Sequence, residues 1–162
     1  MKLSKDDILN SVEYQWRKHQ LVLYFYIWLI ISIITIFIPL AIAITNLEYI
    51  VIIILSWLGF IIFMLIIFGS FMLYSYSKMR YLLKNYENMQ IYEVKLNYIS
   101  TSYMYRGATY YTVTINNKKV DTNPIFSSSI FSKYSLNEYN NKTIIGLFDK
   151  TLNKFYVIRK IS

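Results

Sequence analysis

The 162-residue sequence contains no cysteine, a single histidine, two prolines and four glycines. Without cysteine there is no disulfide framework, and with His19 alone no zinc or transition-metal site of His and Cys can be assembled within one chain. His19 would also have to serve any Ser-His-Asp or Cys-His machinery. It stands at the edge of a long apolar run, where an interfacial polar residue is the plainer role. Gly59, Gly69, Gly107 and Gly146 are at least ten residues apart, so no phosphate-cradling glycine loop can be written. The low glycine and proline content excludes collagen-like and linker-like chains.

Charge is scarce as well. Only 16% of residues are Asp, Glu, Lys or Arg, against 56% hydrophobic and 19% aromatic, and 17 basic residues outnumber 9 acidic ones. The apolar residues are concentrated: 28 uncharged residues separate His19 from Glu48, and 29 more separate Glu48 from Lys78. Each run exceeds the roughly 20 residues that a helix needs to cross about 30 Å of hydrocarbon. Two transmembrane helices are expected, over about 21–44 and 49–74, because 162 residues cannot wrap two such helices inside a soluble core. Thr45, Asn46, Leu47 and Glu48 allow only a tight reversal, so residues 21–77 should form an antiparallel hairpin. Asn46 would cap the second helix and Glu48 would lie in its first turn. Pro39 should kink the first span. Ala41, Ile42 and Ala43 mimic a signal-peptidase site, but the apolar run is too long and the leader, with Asp6, Asp7 and Glu13, too acidic for a cleaved signal.

Lys2, Lys5, Arg17 and Lys18 precede the hairpin, none lies in its connection, and Lys78, Arg80, Lys84 and Lys95 follow it. This distribution predicts a multi-pass protein of the cell membrane with both termini cytoplasmic. Trp16, Tyr24 and Tyr26 match Tyr74, Tyr76 and Tyr81 as an inner aromatic belt, with Tyr49 on the outer side. Residues 1–20 read as an amphipathic helix: Ser4 and Asp7 have capping-box spacing, and Ile8, Leu9, Val12 and Trp16 fall on one face. That face would lie on the membrane or run on into the first span. Residues 78–90 repeat the pattern with Met79, Leu82, Leu83 and Tyr86. Lys78, Arg80 and Lys84 then sit at headgroup level, where three basic residues suit ordinary anchoring better than the clusters of about 4 to 8 that recognise particular lipids.

From residue 91 onward the period changes to two. Tyr92, Val94, Leu96 and Tyr98 alternate with Glu93, Lys95 and Asn97 in a half-buried strand over 91–100. Tyr111, Val113 and Ile115 alternate with threonines, Asn116-Asn117 tolerate positive φ, and residues 118–122 return as a hairpin partner. Residues 142–148 and 154–161 form a last pair around a turn, while 125–135 is ambiguous between strand and loop. The expected fold class is therefore an α+β membrane protein, a transmembrane hairpin followed at 91–162 by a small antiparallel β-barrel or β-sheet of about five strands. This layout resembles that of several groups of bacterial membrane proteins; the likeness is architectural and carries no residues across.

Four acids, Glu93, Asp121, Glu138 and Asp149, are the only carboxylates after residue 90. Asp121 and Asp149 fall in or beside turns, where such side chains serve the backbone. Neither span carries an ionisable residue, which leaves no relay for ion transport. Ser32, Thr35, Ser56 and Ser70 would serve helix packing. Residues 91–162 hold ten Lys and Arg against those four acids, a net of +6, and nine Tyr. Tyr103, Tyr105, Arg106, Tyr110 and Tyr111 cluster near Gly107, with Lys118 and Lys119 at the next turn. Such interleaving suits single-stranded nucleic acid, but a basic domain beside an anionic leaflet needs no nucleic acid, and Tyr is abundant throughout. Tyr103, Tyr105, Arg106, Tyr110, Lys118 and Lys119 are thus a candidate partner surface. The sequence predicts a non-enzymatic anchor for a protein-binding domain, without metal or cofactor, whose partners are the lipid bilayer and another protein or further copies of itself. The alternative is an immunity-type protein acting through its hairpin, and a membrane-bound enzyme ranks third.

Overall fold

A computed structural model describes residues 3–45, 48, 50–99, 108–122, 125–126 and 141–161. Helices α1 (Lys5–Leu9), α2 (Val12–Thr35), α3 (Phe37–Thr45) and α4 (Ile50–Asn85) are followed by a 3-10 turn at Tyr86–Asn88. Among the described residues seven strands then follow: β1 (Gln90–Lys95), β2 (Asn97–Ile99), β3 (Ala108–Ile115), β4 (Lys118–Asp121), β5 (Ile125–Phe126), β6 (Thr143–Asp149) and β7 (Lys154–Lys160). By its internal contacts the chain divides into residues 18–78 and a unit made of residues 1–17 with 79–162.

The first unit is a helical hairpin. Tyr24 stacks on Phe71 with centroids 5.4 Å apart, and Trp57 Nε1 donates to Thr35 Oγ1 at 3.3 Å, which fixes the antiparallel register of the two arms. Its outer surface is apolar: Ile34 is 60%, Phe37 66% and Leu73 68% exposed. Among the described residues, every large hydrophobic side chain left exposed lies between Val22 and Tyr76 except Leu152. A surface of that kind is stable against lipid and not against water. Pro39 acts as expected. It has no N–H for the Thr35 carbonyl, so α2 ends at Thr35 and the chain turns at Ile36 before α3 begins. The proposed cap Asn46 lies outside the described residues, as does Tyr49.

The second unit has three layers. β1, β6 and β7 form one antiparallel sheet in the order β1-β6-β7; β2, β3 and β4 form another, with β5 paired to β3. The strand expected over 91–100 is present but divided. Leu96 donates its N–H to Lys142 O at 3.1 Å and accepts from Asn141 N at 3.0 Å, and beyond it β2 pairs with β3 instead. One strand thereby serves both sheets. On the opposite side β4 and β7 meet through a single parallel bridge, Thr122 to Phe155. A closed barrel needs a ladder there, so of the two expected forms the structure takes the sheet. The other expected strands are β3, β4, β6 and β7, and the Asn116-Asn117 turn has φ of 48° and 60° as required. Of the ambiguous stretch 125–135, Ile125–Phe126 is a strand.

Between the sheets, Val94, Ile144, Phe155 and Val157 pack on Tyr111, Val113, Ile115 and Val120, with Val12 and Trp16 of α2 joining this core. On its other face the β1-β6-β7 sheet presents Ile91, Leu147, Tyr156 and Ile158 to Leu3, Ile8, Leu82 and Met89. β7 is therefore buried on both faces, and β6 pairs across a bulge that accommodates Ile158: Ile145 lies opposite Arg159 and Gly146 opposite Val157.

The N-terminal segment departs from the expectation twice. It is two helices, because Ser11 interrupts the run: its hydroxyl donates to Ile8 O at 2.6 Å and accepts from Tyr14 N at 3.2 Å, recapping the chain as α2 begins. The capping box at Ser4 and Asp7 does form. Of the two expected courses, α2 takes the second and runs on without a break into the first apolar span, while the face bearing Ile8, Val12 and Trp16 is buried against the strands and is not left to a membrane surface. Residues from both sides of the hairpin in the sequence, 3–17 and 79–161, thus share one core.

Candidate functional site

Several polar groups, Glu13, Arg17, Tyr81 and Asp149, gather near Tyr156 where the start of α2, the end of α4 and the β6–β7 turn meet. Glu13 and Arg17, one turn apart on α2, form an ion pair with side chains 2% and 4% exposed; Arg17 Nε and Nη2 each lie 2.8 Å from Glu13 Oε1. The Arg17 guanidinium also lies 5.2 Å from the Trp16 ring centroid, within cation–π range. Asp149, buried at the end of β6, makes bonds in two directions. Its Oδ1 accepts from Thr151 N at 2.8 Å and Leu152 N at 3.2 Å, shaping the turn, and its Oδ2 accepts from the Tyr81 hydroxyl at 2.7 Å. Tyr156 on β7 is buried beside these groups.

Burial raises the Tyr156 pKa far above the ordinary phenol value, and the negative charges of Glu13 and Asp149 add to the effect. The hydrogen bond to Asp149 raises that of Tyr81, with burial contributing. Both phenols stay neutral in the fold at a pH where the unfolded chain would ionise them at about 10. Their stabilisation is therefore complete below that pH and is lost as pH rises beyond it. Unfolding titrations between pH 8 and 11.5 should show stability falling above about pH 10, and Tyr156→Phe, which keeps the ring, should flatten the fall. An unchanged profile in that variant would remove Tyr156 as the cause.

With Glu13, Arg17, Asp149 and Tyr156 buried, the patch joins three elements of the fold. Among the described residues no three or more His, Asp or Glu side chains come together as a metal site would require.

The surface residues picked from sequence are dispersed. Arg80 and Lys84 are exposed one turn apart on α4. Lys78 is about 200° round the helix from Arg80, with its Nζ 5.6 Å from the Tyr74 ring centroid. The three basic residues therefore do not share one face. Lys118 and Lys119 open β4 and are exposed beside the Asn116-Asn117 turn. Tyr110 holds a register position in β3 opposite Ile99. Tyr103, Tyr105 and Arg106 lie outside the described residues. Tyr111 is fully buried in the inter-sheet core and leaves the surface cluster.

Sequence reading missed the Glu13–Arg17 pair, although its i, i+4 spacing is visible; nothing local says that this face will be covered. It also missed an open recess of about 590 Å³ lined by Met89, Gln90, Ile91, Tyr92, Glu93 and Ile145. That recess borders β1, the end strand of its sheet. No family model, no curated protein and no solved structure matches the chain.

Proposed function

We propose that the protein is a membrane anchor for a protein-binding domain, with both termini and the domain in the cytoplasm and no catalytic role. The observation that supports this most is the domain's construction from the segments on both sides of the hairpin. All 17 Lys and Arg lie in or next to those segments, while the connection at the other end carries only Glu48. That is the asymmetry of a protein with its polar mass inside. The surface offered to a partner is the basic edge at Lys118 and Lys119, together with the mixed recess beside β1, which among the described residues ends its sheet and so leaves main-chain groups for an added strand.

Single cysteines test the orientation cleanly in a chain that has none. Glu48→Cys should react with an impermeant maleimide on intact cells, and Lys150→Cys only after lysis. The reverse pattern would overturn the cytoplasmic assignment. The binding role is tested by affinity purification at native expression level. A stoichiometric protein should be lost from Lys118→Glu/Lys119→Glu or from a Glu93→Arg variant and retained when the hairpin is exchanged for an unrelated one. Retention by the hairpin alone would favour the second reading, an immunity-type protein recognising its target within the bilayer. That reading draws on Gly59 and Gly69, where nothing lies within 4 Å of an added Cβ, so that another helix could approach closely.

A further inference from the structure

We propose that the cleft at the Pro39 break binds one acyl chain of a membrane lipid, a role independent of the partner that the domain recognises. Where α2 gives way to α3, the two arms of the hairpin part and leave a cleft of about 380 Å³. Ile38 and Ile42 form one wall and Ile52, Ile53 and Phe60 the other. At its deep end Trp57 Nε1 donates to Thr35 Oγ1 at 3.3 Å, and the Thr35 hydroxyl in turn donates to Ile31 O at 2.8 Å. These polar atoms satisfy one another, and the walls are hydrocarbon. An empty gap of that size would forfeit the dispersion contacts of its lining.

The occupant is a thin chain and not a helix. Helices dock in membranes through small residues that let backbones approach; this cleft is walled by isoleucine and aromatic side chains, and Gly59 and Gly69 are not among its lining. Its walls run along the helix axes for about 10.5 Å from Thr35 to Ile42 and about 12 Å from Ile52 to Phe60, the direction in which acyl chains lie. The cleft also opens on the apolar face already assigned to lipid, where Ile38 is 59% and Ile52 62% exposed. An acyl chain therefore enters from the surrounding bilayer without crossing a polar barrier.

The test uses the full chain reconstituted with a phospholipid bearing a diazirine at the end of one acyl chain. Native mass spectrometry after exchange into lipid-free detergent should find one phospholipid per chain, and photolysis should place adducts within residues 35–42 and 52–60. Ile53→Trp, which fills the cleft, should lower the retained lipid at least tenfold, and so should Ile42→Phe from the other wall. Ile62→Trp, on the opposite face of α4, should leave it unchanged, and both cleft variants should insert as fully as the native chain. Adducts spread evenly along both spans would mean annular lipid only and would overturn the proposal. So would complete loss of lipid on exchange, equal loss in Ile62→Trp, or a second hairpin cross-linked within the cleft.

Discussion

Replacing Gly146 with alanine should destabilise the β-domain by about 3 kcal/mol, the upper end of what overpacking usually costs. A Cβ at this position would run into Cζ and Cε1 of the Phe155 ring and come within 2.6 Å of the Tyr156 carbonyl oxygen. Neither neighbour can retreat. Phe155 is fully buried in the inter-sheet core, and Tyr156 belongs to β7, paired to β6 on the same ladder. The glycine is present to let an aromatic ring cross the strand beside it. Pulse proteolysis of the detergent-solubilised full chain across a urea series measures the loss. Shortening the ring in Gly146→Ala/Phe155→Leu should return part of it relative to the sum of the single changes, because the ring clash goes and the carbonyl clash stays. An alanine variant within about 0.5 kcal/mol of the native chain, the range of a neutral surface change, would show that the strand is not packed as described.

Removing one partner of the Glu13–Arg17 pair should cost about 3–5 kcal/mol, because the remaining charge stays buried after losing its ion pair. The same pair on a surface would be worth under about 1 kcal/mol; side-chain exposures of 2% and 4% decide between the two. Glu13→Leu and Arg17→Met should each be strongly destabilising, while the double replacement, similar in volume and free of charge, should recover most of the loss. The urea series that serves for Gly146 reads all three variants. Additive losses would indicate that the two side chains act separately.

What could be read from the sequence was whatever a local period or a local breaker determines. Two uncharged runs of nearly 30 residues leave little choice but a hairpin, Pro39 marks its own interruption, and Asn116-Asn117 announces a two-residue turn. Alternation at Tyr92, Val94 and Leu96 gave a strand but could not show that the strand changes sheets at Leu96, since that depends on which neighbour each edge meets. The apolar stripe of Ile8, Val12 and Trp16 was visible, and its partners were not: Ile8 packs with Leu147, Tyr156 and Ile158, about 140 residues away, while Val12 and Trp16 join Tyr111, Val113 and Phe155 between the sheets. Tyr111 and the exposed lysines 118 and 119 looked alike as members of a basic, aromatic stretch. Strand parity separates them, placing Tyr111 among Val113 and Ile115 in the core.

The order in which ribosomes make this chain gives the divided core a consequence for biogenesis. Residues 3–17 emerge well before β6 and β7, which carry the partners of their apolar face. Contacts so distant in sequence form slowly, and until they do the leading segment lacks its cover. If only one of the two spans entered the bilayer, the two portions of the core would be stranded on opposite sides, and the globule could not form. Folding of the domain thus checks insertion of the hairpin, and a mis-threaded molecule would present an open sheet and an uncovered helix to the proteases that clear such products.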